Sequence, residues 1–113
     1  MTINYNGKKF KPKSVSDNGL VTDQIIFNYK QEGNILTCTY EGGQIKKGHL
    51  IGIVNKEGKI DMRYHQINVQ SQLMTGICTS TPELLSNGKI MLHEKWQWTS
   101  GDQSEGSSIL EEL

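Results

Sequence analysis

The 113-residue chain balances 12 Lys and Arg against 12 Asp and Glu, so its formal net charge is zero. That balance leaves no basic field to hold nucleic acid or an anionic membrane, and no apolar run is long enough to span a bilayer. The length suits a single domain over 1–113, and the 12 glycines and 2 prolines suit many tight turns.

Met1-Thr2-Ile3-Asn4 opens no signal-peptide pattern. Cys38 and Cys78 lie far apart and follow no metal-binding spacing. The expectation is a cytoplasmic protein with two reduced thiols and no cofactor.

In chain order, Ile3, Tyr5 and Phe10 mark a first strand within Met1 to Lys11, and Pro12 to Thr22 reads as a loop turning at Asn18-Gly19. Asp23 to Gln31 alternates through Ile25, Phe27 and Tyr29, and Gly33-Asn34 turns it into Ile35 to Tyr40. Gly42-Gly43 leads to Gln44–Asn55, Glu57-Gly58 to Ile60–Asn68, and Gln70-Ser71 to Leu73–Thr81. Asn87-Gly88, a strong hairpin signal, opens the stretch Lys89 to Thr99, which holds both tryptophans. There Ile90, Leu92, Glu94, Trp96 and Trp98 share one face, the period of a half-buried strand. Ser100-Gly101-Asp102 turns into a last strand ending at Leu113. No helical period occurs anywhere.

If every turn is a two-residue hairpin, counting outward predicts the cross-strand partners. Tyr29 then faces Cys38, Phe27 faces Tyr40, Tyr40 faces Ile45 and Leu36 faces His49. Further along, Ile53 faces Met62, Ile51 faces Tyr64, Tyr64 faces Ile77, Thr79 faces Trp96 and Glu94 faces Ile109. All six counts place apolar residues on one shared face, and put Gly48, Gly52, Gly76 and Cys78 on the other. With no helix to cover that face, the predicted fold is all-β: an antiparallel up-and-down meander of about eight strands closed into a small barrel, with a two-sheet sandwich as the alternative.

The face so counted is mostly aliphatic filler such as Ile25, Leu36, Ile51, Ile53, Met62, Ile77 and Leu92. Among these stand Thr75, Thr79 and the candidate ligand-binding set: Tyr29, Tyr40, His49, Tyr64, Gln66, Glu94, Trp96 and Trp98. Apolar walls with a few convergent polar groups describe a small-molecule site. Glu94 stands out, because a carboxylate on an apolar face must be paired, protonated or near water. Each residue also has a structural reading: the indoles as core, His49 as a satisfied or rim histidine, Tyr64 and Gln66 as partners of one another. His65 and His93 have outward parity, which argues against a three-histidine metal centre.

The runs Ile60-Asp61-Met62-Arg63-Tyr64-His65, Leu73 to Glu83, and His93 to Asp102 resemble a family of small bacterial proteins labelled "N-acetylglutamate synthase", over nearly the whole chain. That label implies acetyl transfer from acetyl-CoA to glutamate. Such acetyltransferases hold the pyrophosphate with a Gln/Arg-x-x-Gly-x-Gly/Ala loop at a helix N-terminus, and the chain has neither that loop nor the helix. No site residue carries over from the label. By strand pattern the barrel is also similar to the calycin type, the group of lipocalins and avidins.

Three functions compete. The first is binding of a small, partly apolar molecule inside the barrel; the second is a structural or protein-interaction module with a filled core. The third is an enzyme using Glu94 or His49 as acid or base.

Overall fold

The computed structural model describes residues 3–15 and 25–113. The expected turn at Asn18-Gly19, the start of the first strand at Met1-Thr2, and Asp23 lie outside the described residues. Nine strands are described: β1 (Lys9–Val15), β2 (Phe27–Asn28), β3 (Lys30–Glu32), β4 (Ile35–Gly42), β5 (Ile45–Val54), β6 (Ile60–Asn68), β7 (Leu73–Leu84), β8 (Ile90–Trp98) and β9 (Glu105–Glu112). All pairings among them are antiparallel, and among the described residues there is no helix able to cross a membrane.

The nine strands form one sheet in the order β2-β1-β9-β8-β7-β6-β5-β4-β3. Its two ends, β2 and β3, are separated in the chain only by Tyr29. Residues 27–32 are therefore one stave that bonds β1 along its first half and β4 along its second. Tyr29 continues the first pairing: its amide donates to the carbonyl of Lys8 at 2.9 Å and its carbonyl accepts from Gly7 at 2.9 Å. The sheet thus returns on itself as a nearly closed barrel. Closure removes the exposed edges that a free meander would leave.

The expected first strand begins later than its sequence pattern suggests. Residues 3–8 form no strand but fold as a turn over one end of the barrel. Tyr5 is fully buried there, its hydroxyl donating to the carbonyl of Gly58 at 2.5 Å. Its ring packs edge-on to Tyr29, with centroids 6.1 Å apart, and Phe10 lies 5.2 Å from Tyr29. An aromatic cluster drawn from the N-terminal segment, β1 and the closing stave seals this end. The loop expected from Pro12 to Thr22 does not begin at Pro12, since β1 runs through Pro12 to Val15 with an irregularity between Pro12 and Ser14; the rest of that loop lies outside the described residues.

Register is where the counting succeeds once and slips five times. Across Gly33-Asn34 the pairs Lys30–Thr37 and Glu32–Ile35 match the two-residue hairpin. Everywhere else the partner is displaced. Gly52 rather than Ile53 faces Met62, Gly76 rather than Ile77 faces Tyr64, and Cys78 rather than Thr79 faces Trp96. Ser108 rather than Ile109 faces Glu94, and Tyr40 faces Gly48.

The physical cause is turn chemistry. At Asn55–Lys59, Asn68–Gln72 and Leu85–Lys89 the amide of residue i+3 donates to the carbonyl of residue i, and that donor is left-handed, with φ of 82° at Gly58, 62° at Ser71 and 84° at Gly88. This is the three-residue loop with a bulge, one residue longer than the two-residue turn. Asn55 and Asn68 enforce it alike: each side-chain oxygen accepts two backbone amides of its own loop. The last hairpin keeps the same odd count with Gly101 and Gln103 at positive φ, and the β4–β5 hairpin carries a bulge between Tyr40 and Gly42.

Because the side-chain period is two, a one-residue slip inverts a whole strand. β6 and β8 keep the expected faces, with Ile60, Met62, Tyr64, Gln66, Ile90, Leu92, Glu94, Trp96 and Trp98 inward. β7, β9 and β5 beyond its irregularity at Ile45/Lys47 are inverted, while Ile45 itself stays inward as counted. Leu50, Val54, Cys78, Ser80, Ser108 and Leu110 are buried, whereas Ile51 and Ile53 are 48% and 58% exposed. Gly48, Gly52 and Gly76 face inward, and His49, Thr75, Thr79 and Ile77 face outward.

Candidate functional site

The register aligns the inner-face residues in rungs across the sheet. One runs Val54, Ile60, Ser80, Glu94, Ser108; a second runs Leu36, Gly52, Met62, Cys78, Trp96, Gly106; a third runs Leu50, Tyr64, Gly76, Trp98. A fourth joins Tyr40, Gly48, Gln66 and Met74. Seven of the eight residues expected to bind a ligand therefore share the interior: Tyr29, Tyr40, Tyr64, Gln66, Glu94, Trp96 and Trp98. The eighth, His49, does not. It stands on the outer face of β5 opposite His65, so the barrel wall separates it from Glu94.

Glu94 has a serine directly opposite on each neighbouring strand. Ser80 Oγ donates to Oε2 at 2.7 Å and Ser108 Oγ donates to Oε1 at 3.0 Å. Burial raises the Glu94 pKa, and the two hydroxyls hold it back by favouring the charged form. The residue as a whole nevertheless keeps some accessible surface. Burial also pushes up the phenols of Tyr29, Tyr40 and Tyr64, and the Glu94 charge adds to each, which marks them as neighbours in one poorly hydrated space.

The aromatic wall follows from two missing side chains. Tyr40 lies over Gly48 and Tyr64 over Gly76, each ring occupying the place where a Cβ of the glycine would stand. The glycines let the rings lie flat against the opposite strand instead of pointing across the barrel. Tyr64 meets Trp98 edge-on at 5.5 Å, and Trp96 meets Trp98 at 5.9 Å. Tyr64 and Trp96 are only half-buried although they point inward, while Trp98 is 6% exposed.

Polar groups punctuate this wall. Tyr40 Oη donates to Gln66 Oε1 at 2.9 Å. Gln66 Nε2 and Tyr29 Oη are buried with no hydrogen-bond partner among the described residues. Among the described residues no group of three or more His, Cys, Asp or Glu side chains is placed to hold a metal. Both cysteines are buried and free; Cys78 faces inward beside Glu94, not outward as counted.

Ser80, Ser108 and Cys78 are the interior polar residues that sequence reasoning missed. The signal for them was turn chemistry, since Asn87-Gly88 and Gly101-Asp102 each fit a loop of odd residue count as well as a two-residue turn. Counting those turns as three-residue loops places Ser80 and Ser108 on either side of Glu94.

Nothing among curated proteins matches the chain. The sequence model of one family, described as avidin-like protein, matches residues 3–113. Neither comparison supports the resemblance to proteins labelled N-acetylglutamate synthase. On a match that spans the entire described barrel, the chain belongs to the avidin-like protein family.

Proposed function

We propose that the protein binds a small, partly apolar molecule inside the barrel, against Trp96, Trp98 and Tyr64 and between the polar groups of Tyr29, Tyr40, Gln66 and Glu94. The observation that carries this reading is the pair of buried atoms Tyr29 Oη and Gln66 Nε2, which have no partner among the described residues. A core evolved only for packing pairs such groups or replaces them, because each costs about 1–3 kcal/mol when left unmade. Here they are retained in a wall that also holds the half-buried Trp96, Tyr64 and Glu94. This favours ligand binding over a filled interaction module. Membership of the avidin-like family supports the same reading, since that family suggests a small-ligand-binding barrel.

Gln66 Nε2 offers a hydrogen-bond donor, Tyr29 Oη offers a donor or acceptor, and Glu94 accepts from N–H groups when ionised. The matching ligand is a compact molecule with both amide-like donors and carbonyl acceptors on an otherwise apolar body. Acetyl transfer to glutamate has no support in this interior. Glu94 and His49 stand on opposite faces of the wall, which argues against the two acting together on one interior substrate. Two buried free thiols suit the reducing cytoplasm as the site of action.

Native mass spectrometry of freshly purified protein is the direct test, with biotin as the first added probe and indole emission as the second readout. The expected result is a non-covalent adduct that shifts or quenches tryptophan emission and is weakened in Gln66→Leu and Tyr29→Phe. Absence of any adduct, together with unchanged emission across a compound library, would remove the binding reading.

A further inference from the structure

The register that turns His49 out of the barrel sets it beside His65. The two are directly opposed on β5 and β6, with His49 Nδ1 3.1 Å from His65 Nε2 and the rings at 74°. We propose that this pair is a bidentate site for a divalent transition cation that prefers imidazole, such as copper, nickel or zinc.

The argument is geometric. Imidazole nitrogens sit about 2.0–2.1 Å from such an ion, so two neighbouring ligands of one ion lie roughly 2.9–3.4 Å apart. The observed spacing falls inside that range before anything moves. Without an ion, one nitrogen donates its proton to the other. An ion takes the place of that shared proton, which passes to the other nitrogen of its own ring through water, so both rings bind as neutral imidazoles that small ring rotations bring to a common point. The backbone beneath keeps continuous antiparallel register from Lys47 to Val54, past the irregularity at Ile45/Lys47, so the spacing is held by the sheet and not by a loop.

Access is open as well. The outer-face neighbours in the same rung are Thr39 and Thr75, both short. His65 is exposed and His49 half-buried.

The same geometry limits the ion. Calcium and magnesium require a set of oxygen ligands, and none is gathered here. Among the described residues no third His, Cys, Asp or Glu completes the set, so the bound ion keeps positions for water or for a donor from another molecule. Two cations nearby oppose binding: Lys47 and Arg63 lie two residues away on the same strands, although Arg63 is occupied by Asp61 at 2.7 Å. His93 makes the natural control. It too is exposed on the outer face, but its Nε2 is held by Glu83 at 2.7 Å in a one-histidine pair.

Tag-free protein stripped with chelator is titrated calorimetrically with zinc or nickel chloride, and nickel-induced broadening of backbone amides is followed by NMR. The expected result is one ion per chain, with broadening centred on residues 39, 49, 65 and 75. His49→Gln or His65→Gln weakens binding by at least about tenfold, and His93→Gln leaves it unchanged. Both histidines lie on the surface, and thermal melts confirm that the variants remain folded. Binding that survives in the double variant, that follows His93, or that never saturates in the wild type overturns the proposal. None of these readouts depends on an interior ligand.

Discussion

Glu94 shows how a single side chain is tuned by its two cross-strand neighbours. Its pKa lies above the ordinary carboxylate value of 4.5, with burial as the main cause. In the pH window from the unfolded pKa up to the folded one, the native state binds the extra proton, so stability falls as pH rises through that window. Glu94→Gln, which keeps the hydrogen-bonding shape without the charge, should stabilise the protein at neutral pH. The gain should shrink toward zero below the ordinary carboxylate range; chemical denaturation at two pH values checks this, and a neutral-pH loss of stability would contradict it. The thiols are a second residue-scale case. Burial pushes Cys38 up to about 12 and raises Cys78 well above its usual value, with the Glu94 charge adding to the latter. Only thiolates react. A thiol reagent at mildly alkaline pH should therefore count no thiols in the native protein and two after unfolding; rapid native labelling would show that the interior opens.

At the scale of the element, the hairpins set which residues meet. Ser71 occupies a left-handed position that glycine holds in the sister loops at Gly58 and Gly88. Ser71→Gly should stabilise by roughly 0.5–1 kcal/mol, the relief of left-handed strain exceeding the added backbone entropy; a urea midpoint that moves downward would count against the loop assignment. The aromatic rungs make a complementary case. A Cβ at Gly76 would overlap the Tyr64 ring. Gly76→Ala should cost about 1–3 kcal/mol by overpacking. In a Tyr64→Leu background the penalty should be smaller, and a double-mutant cycle measures that coupling. Strictly additive losses would mean that the ring has no part in keeping this position glycine.

For the molecule as a whole, the barrel is as strong as its seam. The hairpin pairs β5–β6 and β7–β8 run through nine registered partners each, whereas β2 contributes two and β3 three. Hydrogen exchange should be earliest at residues 27–32 and latest in β5 to β8. Equal protection in both would show that closure at the seam is as strong as the ladder. The seam also packs Phe27 on Tyr40 at 5.0 Å, so opening it would loosen the aromatic wall of the interior. Ligand binding inside the barrel is then expected to slow exchange at the seam.

Several features of this protein were determined by sequence alone, each for a local reason. Alternation in the tryptophan strand settled its face, because side chains of a strand have no choice but to alternate. The absence of any helical period and the regular turn signals settled an all-β meander, and the lack of another covering layer settled its curling into a barrel. Seven of the eight interior candidates followed, since they sit on β6, on β8 or around the one turn that was counted correctly. Tertiary structure decided the rest. Whether a turn holds two residues or three depends on a left-handed residue and an asparagine side chain bonding its own loop, and that difference inverts whole strands. It exchanged Ile51, Ile53 and Ile77 for Leu50, Val54 and Cys78 inside the barrel, brought Ser80 and Ser108 to Glu94, and sent His49 outward to His65. Nor could periodicity show that residues 3–8 would leave the sheet to cap the barrel, because Tyr5 is held by Gly58, a partner distant in sequence whose position exists only once the barrel has closed.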